Sequence, residues 1–219
     1  MNTLIERIDI QIGKRSLLKH PFYQMWNDGE LTIDHLQGYS KEYFHLVKAI
    51  PEFVRNIHGL TNDPFLQSSL VRSYKEEADH LAPWIKFAKS LGVSRQELSN
   101  HHPSRKTTEA ISTLNDQTGC SVYEGAAAMY AYECELPKIS RSKINGLKDF
   151  YGKNSSDAVK YFMIHEEVDV RHAALWRGIL EDIPMNKTRS AYIAATKSLA
   201  AQNHLLDSVL ERYIGPTCS

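Results

Sequence analysis

Apolar residues return every three or four positions along nearly the whole chain, and this spacing predicts helices throughout. Leu4, Ile8, Ile10, Ile12, Leu17 and Leu18, with charges between them, predict a helix over residues 2–19, closed by His20-Pro21. Phe22 to Trp26 is an apolar, aromatic knot that reads as a short buried helix, and Asn27-Asp28-Gly29 as a turn. Thr32 caps a long helix to about residue 60, bearing Leu36, Tyr39, Tyr43, Leu46, Val47, Phe53, Val54 and Ile57, with a kink expected at Pro51. Pro64 opens a helix with Leu66, Leu70, Val71 and Tyr74 on one side, running to Leu91-Gly92 and interrupted near Pro83.

Ser94 to Glu97 is a capping box that starts a short helix, ended by His101-His102-Pro103. Residues 104–116 read as helix. Ser121 to Glu124 is a second capping box, opening a segment to Leu147 that is apolar on nearly every side and is therefore central, with a kink at Pro137. A turn with Gly152, Asn154 and Ser155 leads to a helix from Asp157 to Ile183. Pro184-Met185-Asn186 breaks it, and the last helix spans about residues 187–213. No stretch alternates as a strand does, and no linker divides the chain. The expectation is an all-α bundle of seven to eight helices in one domain, residues 1–219.

The chain carries 26 basic and 26 acidic residues, a balance that gives no reason to expect nucleic acid or an anionic membrane as partner. No apolar run approaches the roughly 20 residues needed to span a bilayer, and the first residues lack the order of a signal peptide. Cys120, Cys134 and Cys218 are odd in number and lack a C-x-x-C spacing, so a reducing, cytoplasmic setting is expected.

The chemistry concentrates in His165-Glu166-Glu167-Val168-Asp169-Val170-Arg171-His172. Positions i, i+4 and i+7 fall within roughly 60° on a helix, so His165, Asp169 and His172 project together. One helix rarely completes a metal site, so facing helices should add ligands. Glu76 with His80 (i, i+4) and Glu77 with His80 (i, i+3) both qualify on spacing. Glu133, set among Ala and Tyr, is costly to bury unless paired or metal-bound. Three carboxylates and three imidazoles on three helices suffice for two metal ions. Mixed nitrogen and oxygen ligation without thiolate suits iron or manganese, and admits zinc. His45, His58, His101, His102 and His204 have no such company and read as surface or locally satisfied residues. The eleven tyrosines gain interest beside a redox metal.

These motifs resemble a known family. The same segments, with His20-Pro21-Phe22-Tyr23-Gln24-Met25-Trp26, Gly29 to Thr32, Leu36 to Tyr39 and Ile139 to Gly146, are similar to the para-aminobenzoate synthase family typified by the chlamydial protein associating with death domains. More distant likenesses are pyrroloquinoline quinone synthase C and thiaminase II. The resemblance implies a haem-oxygenase-like fold and a dinuclear Fe/Fe or Mn/Fe site on Glu76, His80, Glu133, His165, Asp169 and His172. It also implies oxygen-dependent synthesis of para-aminobenzoate, with an external reductant, from the protein's own Tyr23, and Lys143 as amino donor. On that reading each chain turns over about once. Near Glu76 the chain is about three residues shorter than the chlamydial protein, and its tail is reduced to Gly215-Pro216-Thr217-Cys218-Ser219, so host death-domain binding is not implied. Quinone synthase relatives suggest a homodimer.

Other readings use the same residues. A multiple-turnover oxygenase would leave Tyr23 intact. A thiaminase-like hydrolase would need Cys134 as nucleophile. A non-enzymatic adaptor would need no redox metal.

Overall fold

Polar caps fix where most helices begin. In the computed structural model, which describes residues 3–215, the Thr3 side chain accepts from Glu6 N–H and Glu6 returns the bond, opening α1 (Leu4–Lys14). α1 stops short of residue 19 because Ser16 accepts from Leu18 N–H and starts a 3₁₀ turn, Leu17–Lys19. His20 then caps α2 (Pro21–Asp28), whose proline sits at the first turn, where its missing N–H costs nothing. Thr32 caps α3 (Ile33–Gly59), which continues through Pro51 as one helix. Cys218 and the rest of the tail beyond Gly215 lie outside the described residues.

The run expected over residues 64–91 divides into α4 (Pro64–Asp79) and α5 (Leu81–Ser90), with His80 at the joint. Pro83 has no N–H to return to the Asp79 carbonyl, and its ring crowds it. The central run divides likewise. α8 (Val122–Glu133) ends at the residue whose carbonyl Pro137 cannot bond, and α9 (Leu136–Asp149) begins anew. α6 (Arg95–Asn100) and α7 (Arg105–Cys120) precede α8. α10 (Ser156–Glu181) and α11 (Thr188–Val209) follow α9, and a widened turn, Leu210–Ile214, closes the described chain. The two breaks and the short helices bring the α-helical segments among the described residues to eleven, against the seven to eight helices expected. No strand occurs among those residues.

α8 is the centre. Every residue from Gly125 to Glu133 is buried, and α11, α10 and α7 pack around it. α10 lies between α8 and α9 and also meets α5. The two proline breaks thus lie in elements that pack on α10, each beside a ligand-type side chain. α4 turns a narrow stripe inward, Leu70, Ser73 and Glu77. Val71 and Tyr74, which share the apolar side with Leu66 and Leu70 in the sequence pattern, are 41% and 37% exposed. No described helix is long and apolar enough to cross a membrane.

A Cβ at Gly146 on α9 would lie 2.6 Å from the fully buried Trp26 ring, whereas one at Gly178 on α10 would meet nothing within 4 Å. Gly146→Ala should therefore cost about 1–3 kcal/mol through overpacking, and Gly178→Ala should gain about 0.5–1 kcal/mol of helix stability. Chemical denaturation of the two variants checks the opposite signs.

Candidate metal centre

The end of α4, the end of α8 and the middle of α10 bring their ligand-type side chains to one buried place. Glu77, His80, Glu133, His165, Asp169 and His172 are all buried. Glu77 sits between two sets. Its Oε2 lies 3.1 Å from His80 Nδ1, and its Oε1 3.1 Å from His172 Nδ1. Ligand atoms of Glu77, His80 and His165 lie within 4.8 Å of one another, as do those of Glu77, Glu133 and His172. Either trio could hold a metal ion, and Glu77 belongs to both. Asp169 places Oδ2 at 2.9 Å from His165 Nδ1 and Oδ1 at 3.9 Å from His172 Nδ1. On Glu133, Oε2 accepts from Trp176 Nε1 at 2.6 Å and lies 3.9 Å from His172 Nδ1.

Glu76, the residue that the family resemblance matched as a ligand, belongs to neither trio. Its side chain is 25% exposed, against 3% for Glu77. Its Oε2 lies 2.9 Å from His172 Nε2, on the far side of the ring from the cluster, and Arg171 and Arg72 hold it there. The reason is the rotation of α4: the inward stripe through Leu70 and Ser73 carries Glu77, and Glu76 falls beside it.

Whether the cluster suits a metal is decided by what it leaves unpaired. Glu133 Oε1, His165 Nε2, Asp169 Oδ1 and His172 Nδ1 are buried and make no hydrogen bond. Buried polar atoms are nearly always satisfied, and four orphans in one cluster form an unfilled donor set. Charge points the same way. Burial raises the Glu133 and Asp169 carboxyls above their ordinary range, and neighbouring carboxylates add to it. Burial opposes charge on His172, but the Glu77 carboxylate 3.1 Å from Nδ1 and the nearby Glu133 push it up to about 10. Without a cation, protons must hold these carboxylates apart; a divalent ion would replace them. The donor set of imidazole and carboxylate fits iron, manganese or zinc.

An aromatic block adjoins the cluster. The Tyr161 ring lies 4.4 Å from that of His165 and 4.7 Å from that of Trp84, which stacks on Tyr43 at 5.1 Å. Tyr43 meets Tyr132 hydroxyl to hydroxyl at 3.3 Å and the Tyr39 ring at 5.3 Å. Tyr23 is 1% exposed, its hydroxyl 3.4 Å from that of Tyr39. Lys143 is buried here too. Its Nζ donates to Tyr39 Oη at 2.5 Å and lies 4.9 Å from the Tyr23 ring centre, with Tyr43 and Phe162 at similar range. Burial lowers its pKa well below the ordinary lysine value and raises that of the Tyr23 phenol.

Cys134 does not share the centre. It faces Tyr130, with Asp9 and Glu135 near, and burial raises its thiol pKa, the reverse of what a nucleophile requires. A second buried network had no sequence expectation. Glu42 is fully buried and accepts from Thr107 Oγ1, Arg212 Nη1 and Ser104 N–H, with His101 Nε2 at 3.1 Å. The only signal in the sequence was its place on the apolar face of α3, between Tyr39 and Leu46. The Nε2 of His45 nearby is buried and makes no hydrogen bond, and its ring lies 5.5 Å from that of His101.

The chain belongs to the TENA/THI-4/PQQC family, whose sequence profile matches residues 10–213. Among curated relatives, the 4-aminobenzoate synthase of Chlamydia muridarum is 33% identical over 212 residues, covering 94% of this chain and 90% of that one. Among solved structures, a TenA homologue from Pseudomonas syringae superimposes with a TM-score of 0.82 at 15% identity, over 95% of this chain and 93% of that one. A domain with a heme oxygenase-like fold from Shewanella denitrificans gives 0.78 at 19%, over 98% and 95%. The all-helical, haem-oxygenase-like fold expected from the sequence is the observed one.

Two measurements test this account. Divalent metal at a hundredfold excess over Kd should raise Tm by about 5–10 °C, reversibly with chelator, and Glu77→Gln should remove most of that shift. Glu42 behaves differently. Burial works to raise its carboxyl, but its hydrogen bonds, that to His101 first, outweigh this and hold it at about 2. A depressed carboxyl stabilises above its unfolded pKa and loses that contribution as pH falls through the folded one. The wild type should lose on the order of 3 kcal/mol from this group between about pH 4.5 and 2, and the slope should flatten in Glu42→Gln.

Proposed function

We propose that this chain is a dinuclear-metal enzyme that makes 4-aminobenzoate from its own Tyr23, with Lys143 supplying the amino group. The observation that carries this reading is the buried pairing of Lys143 with Tyr23 beside the carboxylate and histidine cluster. A lysine without a carboxylate partner among aromatic rings has no evident structural use, and burying it is expensive. The name of the chlamydial relative supports the product.

In this proposal Glu77, His80, Glu133, His165, Asp169 and His172 hold two ions, Fe/Fe or Mn/Fe. The ions would supply dioxygen activation, with electrons from an external reductant. The rest is done by the chain. A tyrosine side chain is a ring with one further carbon, and so is the skeleton of 4-aminobenzoate. Tyr23 Cβ therefore becomes the carboxyl carbon, and the bond that parts is Cα–Cβ. The aromatic block around Tyr23 excludes water from the reacting ring. Burial favours the neutral form of the Lys143 amine, so its lone pair is available as nucleophile toward the ring carbon that bears the phenol oxygen. That oxygen leaves as water, and the Lys143 Cε–Nζ bond parts by two-electron oxidation of the amine to an imine, with dioxygen as oxidant, and hydrolysis, which leaves an aldehyde on Cε. Tyr39 accepts the Lys143 N–H and holds the amine over the ring.

The test is a single turnover with protein carrying ring-labelled tyrosine, Fe(II) with or without Mn(II), reductant and dioxygen. Labelled 4-aminobenzoate at no more than about one per chain is expected, with a matching mass loss at Tyr23. Product should vanish in Tyr23→Phe and in Lys143→Met. Oxygen uptake without labelled product would instead mean an oxygenase acting on an external substrate.

A further inference from the structure

We infer that Glu76 is the positioning residue of His172: it accepts the Nε2 proton and so presents Nδ1 to the metal pair, while Glu77 supplies the shared carboxylate. This rests on the metal centre proposed above. The two nitrogens of an imidazole point to opposite sides of the ring. A carboxylate 2.9 Å from Nε2 therefore cannot share an ion with Nδ1, the nitrogen that faces Glu77, Glu133 and Asp169. Both oxygens of Glu76 are also engaged. Oε2 accepts from Arg171 as well as facing His172, and Oε1 accepts from Arg72. The two guanidinium groups would repel a cation brought to Glu76.

The same arrangement recurs one helical span away. His165 sets Nδ1 against Asp169 Oδ2 at 2.9 Å and leaves Nε2 buried and unpaired. His172 sets Nε2 against Glu76 and leaves Nδ1 without a hydrogen bond, facing Glu77 Oε1 at 3.1 Å. Each ring thus has one nitrogen hydrogen-bonded to a carboxylate and the other without a hydrogen bond, which orients the ring. The two rings leave opposite nitrogens in this state. Asp169 is fully buried, whereas Glu76 is a quarter exposed in its side chain. The ion on His172 is held through a partner that solvent reaches.

The test titrates metal-free full-length protein with Co(II), reading ligand-field bands and chelator competition. The variants are Glu76→Ala, Glu76→Gln and Glu77→Gln. Wild type should take up two ions. Glu76→Ala should still take up two, the weaker about 10–100-fold looser than in wild type. Glu76→Gln should recover most of that loss, because its amide oxygen accepts the same proton, and should keep the wild-type band shape. Glu77→Gln should lose at least one ion. A purely structural role for Glu76 would move Tm and leave the second binding constant alone, which overturns the inference. So does loss of an ion in both Glu76 variants with two retained in Glu77→Gln, since Glu76 would then be a ligand of an intact centre. Failure of the wild type to bind any ion overturns the metal centre, and this inference with it.

Discussion

Everything at the centre of this molecule follows from the burial of three carboxylates within reach of one another. Glu77, Glu133 and Asp169 cannot all be charged in a water-free interior unless positive charge is shared among them. The imidazoles of His165 and His172, whose pKa values are raised, supply part of it, and the orphaned oxygens and nitrogens mark where the remainder would sit. The constraint reaches outward. α4, α8 and α10 must converge at one depth, and two of them must break there. Pro83 and Pro137 impose those breaks, so that His80 and Glu133 stand where backbone geometry is already interrupted.

Much of this was legible in the chain before any coordinates. His165, Asp169 and His172 lie on one helix at spacings that can only face one way, and Glu133 declares itself as a charge in an otherwise apolar helix. An interruption near Pro83 was legible from proline chemistry, whereas the kinks expected at Pro51 and Pro137 turned out as a continuous helix and a full break. What sequence could not decide was the choice between Glu76 and Glu77. Both stand at permitted distances from His80, and the answer depends on how far α4 is rotated against its neighbours. The inward stripe is Leu70, Ser73 and Glu77, turned away from the apolar side that carries Val71 and Tyr74. A polar Ser73 in a buried stripe is the kind of position that apolar periodicity overlooks.

The remaining surprises are long-range. Tyr23 and Lys143 are distant in sequence, and nothing local to either requires them to meet; only likeness to a family suggested it. Glu42 is met by Arg212 and His101, from the far end of the chain and from a loop. Such pairings are set by how helices stack, and helical periodicity carries no information about which helix faces which. The two buried anionic systems also differ in kind. Glu42 is satisfied by hydrogen bonds within the protein and pins the closing turn against α3. The Glu77 cluster is left incomplete by the protein alone.

The position of Tyr23 has a bearing on how long the molecule lasts. Its ring is packed against Phe22 at 5.5 Å and closed off from solvent. On the proposed chemistry, that ring leaves and nothing of similar size takes its place. Emptying such a site by truncation costs a protein about 3–5 kcal/mol, a large part of the roughly 5–15 kcal/mol by which a domain of ordinary stability stays folded. The spent chain would therefore open more often than the fresh one and reach proteases sooner. Product formation would then also set the lifetime of the protein, with used copies distinguished from unused ones by the hole in their core.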